Sequence, residues 1–110
     1  MRLFDQRSDR RALLKAKRYA TEGGQALHVW DPGAKGWPGA PQVFQRTRPW
    51  GHLLDQDLGR LTATARRLGV KVIKPGRVNG PGQHIDLCGA PLRKAMAECE
   101  VPENGVLVDR

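Results

Sequence analysis

Leu58, Leu61, Ala65 and Leu68 recur at helical spacing behind a cap at Asp55 or Asp57, and Gly69 closes the run. An apolar stripe of this kind has to be buried against a second element. Val70-Lys71-Val72-Ile73-Lys74 follows at once and reads as a strand halted by Pro75-Gly76. Leu27-His28-Val29-Trp30 reads as an earlier strand ended by Asp31-Pro32. Strand, helix, strand at this spacing predicts a βαβ crossover through helix 57–68, with parallel strands and a right-handed connection. Leu92, Ala95, Met96 and Cys99 share one face of a further helix expected over 90–99, with Pro91 in its first turn. The expected fold class is α/β: a small single domain with a short parallel sheet flanked by helices, plus an N-terminal basic helix.

The 110 residues bound the chain to one domain. Within it, residues 1–24 read as a basic helical appendage and 25–110 as the α/β domain. Ser8 or Asp9 caps the first helix, which runs to about Glu22 and is stopped by Gly23-Gly24. Ala12, Leu13, Ala16, Tyr19 and Ala20 share one side of it, and Arg10, Arg11, Lys15, Lys17 and Arg18 take the other. Residues 1–24 hold seven basic and three acidic side chains, net +4, against +8 for the whole chain. A field of that sign attracts nucleic acid, acidic protein surfaces and anionic small molecules. Arg10, Arg11, Lys15 and Arg18 are the expected backbone-phosphate contacts; the alternative is a solvated face on a docked helix.

No apolar run approaches the roughly 20 residues that span a bilayer, and the N-terminus lacks the apolar core of a secretion signal. The expected location is the cytoplasm, with no membrane partner. Cys88 and Cys99, eleven apart and joined by a mostly helical stretch, read as ordinary thiols. Residues 31–49 form a linker with four prolines and three glycines. In it Trp37 can stack a base while Arg46 and Arg48 hold a phosphate, or Trp37 and Phe44 simply anchor the loop.

The chemistry-bearing stretch is Gln83-His84-Ile85-Asp86-Leu87-Cys88, with Trp50-Gly51-His52-Leu53 as its partner. In an extended segment His84 and Asp86 project on the same side. His52, His84 and Asp86 are the candidate catalytic residues, and Arg93 and Lys94, one turn into the last helix, are expected to hold an anion at the rim. Two imidazoles and a carboxylate can run general acid–base chemistry on a phosphodiester. They can also ligate a divalent metal with open positions, although no cofactor or metal is expected from the sequence. Cys88 beside His84 is a third option, as a nucleophile. The plainer reading has Asp86 capping the last helix and His84 bonded to a backbone carbonyl. His28 is expected to point away from the face of Leu27 and Val29, as a packed or surface histidine.

Trp50-Gly51-His52, Arg67-Leu68-Gly69-Val70, His84-Ile85-Asp86 and Arg93-Lys94-Ala95 together resemble a family of short bacterial and phage proteins catalogued only as a domain of unknown function. That family runs from an N-terminal strand through Trp-x-His and a helix ending Leu-Gly-Val to His-aromatic-Asp and a basic helix. Ile85 replaces the usual aromatic, and the basic helix at 8–22 lies outside the resemblance. The likeness implies a phage or prophage origin and the choice of His52, His84, Asp86, Arg93 and Lys94, with no activity attached. The expected function is nucleic-acid or phosphate-ligand binding, DNA or RNA, extended to phosphodiester processing at the histidine–aspartate group. The alternative is a non-catalytic interaction protein whose basic face binds an acidic host protein.

Overall fold

The computed structural model describes residues 1–31 and 48–99. Four strands form one mixed sheet: β1 (Arg2–Asp5), β2 (Gln25–Trp30), β3 (Trp50–Asp55) and β4 (His84–Leu87), side by side in that order. Among the described residues three helices complete the α/β fold: α1 (Ala12–Thr21), α2 (Leu58–Arg67) and α3 (Gly89–Glu98). Strands β1 and β2 are parallel, whereas β2–β3 and β3–β4 are antiparallel.

The sheet contains a βαβ crossover, but the connection is α1 rather than helix 57–68. Residues 1–24, expected as an appendage, supply an edge strand and a covering helix of the sheet itself. Leu3 and Phe4 are too short an apolar pair to advertise β1, whose pairing with Leu27 and His28 comes from tertiary context. The expected strand Val70–Lys74 does not form. The place beside β3 is taken by β4, and Val72 stays 69% exposed while Val70 and Ile73 pack against the core. Helix α2 matches its expected bounds to a residue at each end, with Asp57 accepting from the Arg60 amide as N-cap.

Strand alternation sorts the side chains onto two faces. Leu27, Val29, Leu53, Ile85 and Leu87 point to one, where Leu61, Ala65 and Leu68 from α2 and Leu92 and Ala95 from α3 close the main core. On the other, α1 lays Ala16 and Ala20 over Ala26 and Leu54, flanked by Phe4 and Tyr19. Alanines at those contacts let the helix lie close to the strands. Helix α1 covers only part of this second face. Beyond it the row His28–His52–Asp86 runs straight across β2, β3 and β4 in register.

Candidate functional site

The rings on this face stack in a row. Trp30 lies 4.2 Å from His52 and 5.4 Å from His28, centroid to centroid, and both pairs are stacked. His84, opposite Leu54 in the β3–β4 register, meets the His52 ring edge-on at 4.8 Å. A hollow of about 340 Å³ opens over them, floored by Trp30, His52, His84 and Asp86. Its walls are Leu13 and Lys17 from α1 and Arg77 from the loop before β4. A second hollow shares Leu13, Trp30 and His52 with it and reaches Gln6 and Arg7.

The loop that carries Arg77 is tied down from beneath. Gln83, fully buried, donates to the Asp55 carbonyl at 2.8 Å and accepts from the Asn79 amide at 2.8 Å. Gln56 donates to the Gly80 carbonyl at 3.1 Å. Arg77 and Asn79 hold φ values of 51° and 65°, a left-handed region that side chains rarely occupy and that tends to persist where function requires it. Gly76 exchanges both backbone hydrogen bonds with His84, at 2.8 and 3.1 Å. A Cβ at Gly76 would fall 2.8 Å from His84 Cε1, so the absence of a side chain there gives the imidazole its seat. Gly76→Ala is expected to keep the backbone bridge and the fold while pushing the ring aside. The check is a clear shift of the His84 imidazole carbon–proton resonances, with the unfolding midpoint unchanged to within about 1 kcal/mol.

The hydrogen-bond partners imply one assignment of the ring protons, read outward from the Gln6 amide. The Gln6 amide nitrogen donates to the Arg10 carbonyl at 3.3 Å, which turns Oε1 toward His28 Nε2 at 2.7 Å. An amide oxygen only accepts, so His28 Nε2 carries the hydrogen and the neutral ring's Nδ1 is an acceptor. His52 Nδ1, 3.1 Å away, then donates to it, which leaves His52 Nε2 with a bare lone pair. His84 Nδ1 donates to the Gly82 carbonyl at 2.8 Å, so its neutral ring also presents a bare Nε2. Both Nε2 atoms face one carboxylate oxygen: His52 Nε2 is 3.4 Å and His84 Nε2 is 3.5 Å from Asp86 Oδ1.

The electrostatics agree with neutral rings at β2 and β3. Burial pushes His28 down to about 4. Burial, reinforced by His84, His28, Lys17 and Arg77, pushes His52 down to about 3. Burial raises the Asp86 carboxyl above its ordinary value, opposed by the adjacent His84.

The structure brings His52, His84 and Asp86 together, their ligand atoms within 4.8 Å of one another. It does not bring Arg93 and Lys94 to them. Both belong to α3, whose Leu92 and Ala95 pack on the opposite face of the sheet, so the two cations are exposed there. The reason is strand parity: Ile85 and Leu87 face α3, and His84 and Asp86 must face away. The cations at the hollow are Lys17 and Arg77 instead. Arg10, Arg11 and Arg18 lie exposed on or beside α1, and Lys15 pairs with Asp9 at 2.6 Å. Arg48 pairs with Asp31 at 3.5 Å. Trp37 and Arg46 fall outside the described residues. Cys88 is a buried free thiol and lines neither hollow. Asp86 does not cap α3, whose N-cap is Cys88.

His28, Trp30, Gln6 and Arg77 join the site without having been picked from sequence, and Lys17, placed there only on the basic side of the first helix, lines the hollow. The alternation of Leu27, Val29 against His28, Trp30 was the available signal for two of them. Gln6 and Arg77 sit in turns with no periodicity to read. The motifs Trp50-Gly51-His52 and His84-Ile85-Asp86 fall on adjacent strands of this site, and Arg93-Lys94-Ala95 falls across the sheet from it. No family model, curated protein or solved structure matches the chain. Among the described residues no helix is long and apolar enough to cross a membrane.

Proposed function

We propose that the hollow over β2, β3 and β4 binds a phosphate-bearing ligand of the nucleic-acid class and hydrolyses its phosphodiester at His52, His84 and Asp86. The observation that carries this reading is the meeting of two bare imidazole nitrogens and a carboxylate oxygen in a hollow walled by Lys17 and Arg77. Three acceptors around one point suit a water molecule that must give up a proton. Lys17 and Arg77 are placed to neutralise charge that builds on phosphate oxygens as water attacks. Trp30, partly exposed and already stacked on His52, supplies a platform for a base. The exposed cations Arg10, Arg11 and Arg18 would extend the contact along a longer polyanion.

The test is binding of a fluorescein-labelled single-stranded oligonucleotide, followed by anisotropy in metal-free buffer at several salt concentrations. Lys17→Glu with Arg77→Glu is expected to weaken binding at least tenfold, while Arg93→Glu with Lys94→Glu, across the sheet, leaves it within twofold. Equal losses from the two pairs would reduce the interaction to bulk charge and remove the hollow as the site. An acidic protein captured with undiminished affinity by the Lys17, Arg77 variant, together with no oligonucleotide binding, would favour a non-catalytic interaction protein instead.

A further inference from the structure

We propose that His52 Nε2, His84 Nε2 and Asp86 Oδ1 bind one divalent transition-metal cation of the zinc, cobalt or manganese class, with Gln6 and His28 as the outer links that hold the site in register. The inference takes its anionic ligand from the preceding reading, but the cation is argued independently of it; with the cation bound, the three groups serve as its ligands in place of accepting the proton of water.

The argument is one of hydrogen atoms. The Arg10 carbonyl fixes the Gln6 amide, the amide fixes His28, and His28 fixes His52. The Gly82 carbonyl fixes His84. Each chain ends on a bare nitrogen, and both nitrogens meet a carboxylate oxygen that has no hydrogen to give. One proton can satisfy a single side of this triangle. A dication satisfies all three corners together.

The distances fit such an ion. Bonds of about 2.1 Å in tetrahedral geometry place ligand atoms about 3.4 Å apart, and the two histidine–aspartate separations are 3.4 and 3.5 Å. The whole set lies within 4.8 Å; with both histidine–aspartate sides already short, the widest side is the one between the two imidazole nitrogens, and binding draws the two rings toward each other around the ion. Two imidazoles and one carboxylate select zinc, cobalt, iron or manganese over magnesium or calcium, which favour all-oxygen shells. Three protein ligands leave room for a water or a phosphate oxygen, the arrangement of a reactive rather than a structural centre. Ligating histidines characteristically donate their second N–H to a fixed acceptor, as both rings do here. Lys17 and Arg77 repel a bare cation but attract the anion that completes its shell, so ligand and metal are expected to favour one another.

The metal-free full-length chain is titrated with Zn²⁺ by calorimetry and with Co²⁺ by visible absorption, with no phosphate ligand present. Binding of one equivalent at micromolar or tighter affinity is expected, with the visible spectrum of a low-coordinate Co²⁺ site. His84→Ala and Asp86→Asn should each weaken it at least 100-fold, and the near-isosteric Asp86→Asn keeps the result readable should His84→Ala unfold. Gln6→Leu should weaken binding about tenfold with all three ligands intact, and Gln6→Glu, which keeps an acceptor, should restore most of it. Binding only at millimolar metal, or binding indifferent to Asp86→Asn and His84→Ala, overturns the proposal. Oligonucleotide binding that persists in metal-free protein while Zn²⁺ fails to bind would sink the metal centre alone. Tight Zn²⁺ binding without any oligonucleotide binding would sink the preceding reading and leave this one standing.

Discussion

Arg60→Ala is expected to destabilise the fold by about 3 kcal/mol, the largest single-residue loss outside the apolar core. Asp55 closes β3 with its side chain fully buried. It accepts from Arg60 Nε at 2.6 Å, Arg60 Nη2 at 2.7 Å, Gln25 Nε2 at 2.9 Å and the Asp57 amide at 2.9 Å. Arg60 also donates to the Gly23 carbonyl at 2.9 Å, tying α2 to the turn that enters β2. The guanidinium is 46% exposed, so its own attraction to the carboxylate is partly screened. The cost of removing it arises on the other partner. A carboxylate buried without its cation typically costs about 3–5 kcal/mol, and the two remaining donors hold the loss to the lower end. Urea denaturation measures it, and Arg60→Lys, which loses the two-pronged geometry, should fall between. A loss under about 0.5 kcal/mol would mean that Gln25 and the Asp57 amide suffice.

Acidification is expected to cost on the order of 4 kcal/mol between pH 7 and 4.5. His28 and His52 titrate at about 4 and about 3 in the fold, against 6.5 ordinarily. Above 6.5 both folded and unfolded chains hold these rings neutral, so the shifts contribute nothing. Below it the unfolded chain takes up protons that the fold refuses, and stability falls as pH drops toward 4. Each ring loses about 1.4 kcal/mol per unit of pH in that window. Asp86 works against the trend, since its raised carboxyl is easier to protonate in the fold than out of it. Asp5, held low chiefly by its bond from Arg7, adds its own loss only below its ordinary 3.8. Urea midpoints at pH 7, 5.5 and 4.5 give the curve, and His28→Gln should flatten it by roughly half. A wild-type curve level down to pH 4.5 would mean that the rings accept protons in place.

The parts legible in the sequence were those with a period. Helix α2 announced itself through Leu58, Leu61, Ala65 and Leu68, and α3 through Leu92, Ala95 and Met96. The α/β class followed from them, although the crossover was assigned to the wrong helix. Val70–Lys74 has strand composition, yet it would need a sheet edge, and His84–Leu87 occupies the one beside β3. Strands β1 and β3 were illegible for opposite reasons: β1 is only four residues long, and β3 mixes Gly51 and His52 into its apolar residues. His52, His84 and Asp86 could be singled out because histidine is scarce in this chain, but their meeting depends on a register that no local pattern encodes. Arg93 and Lys94 were placed by proximity along the chain to Asp86, and strand parity sent them to the far side.

Strand β1 is only four residues long, Arg2–Asp5, and Gln6 stands just beyond it. Trimming the first six residues would look like removal of a frayed end. It would instead strip an outer strand from the sheet and delete the amide that sets the ring nitrogens three strands deep. A protein lacking residues 1–6 is therefore expected to lose both an edge of its sheet and the partner of His28.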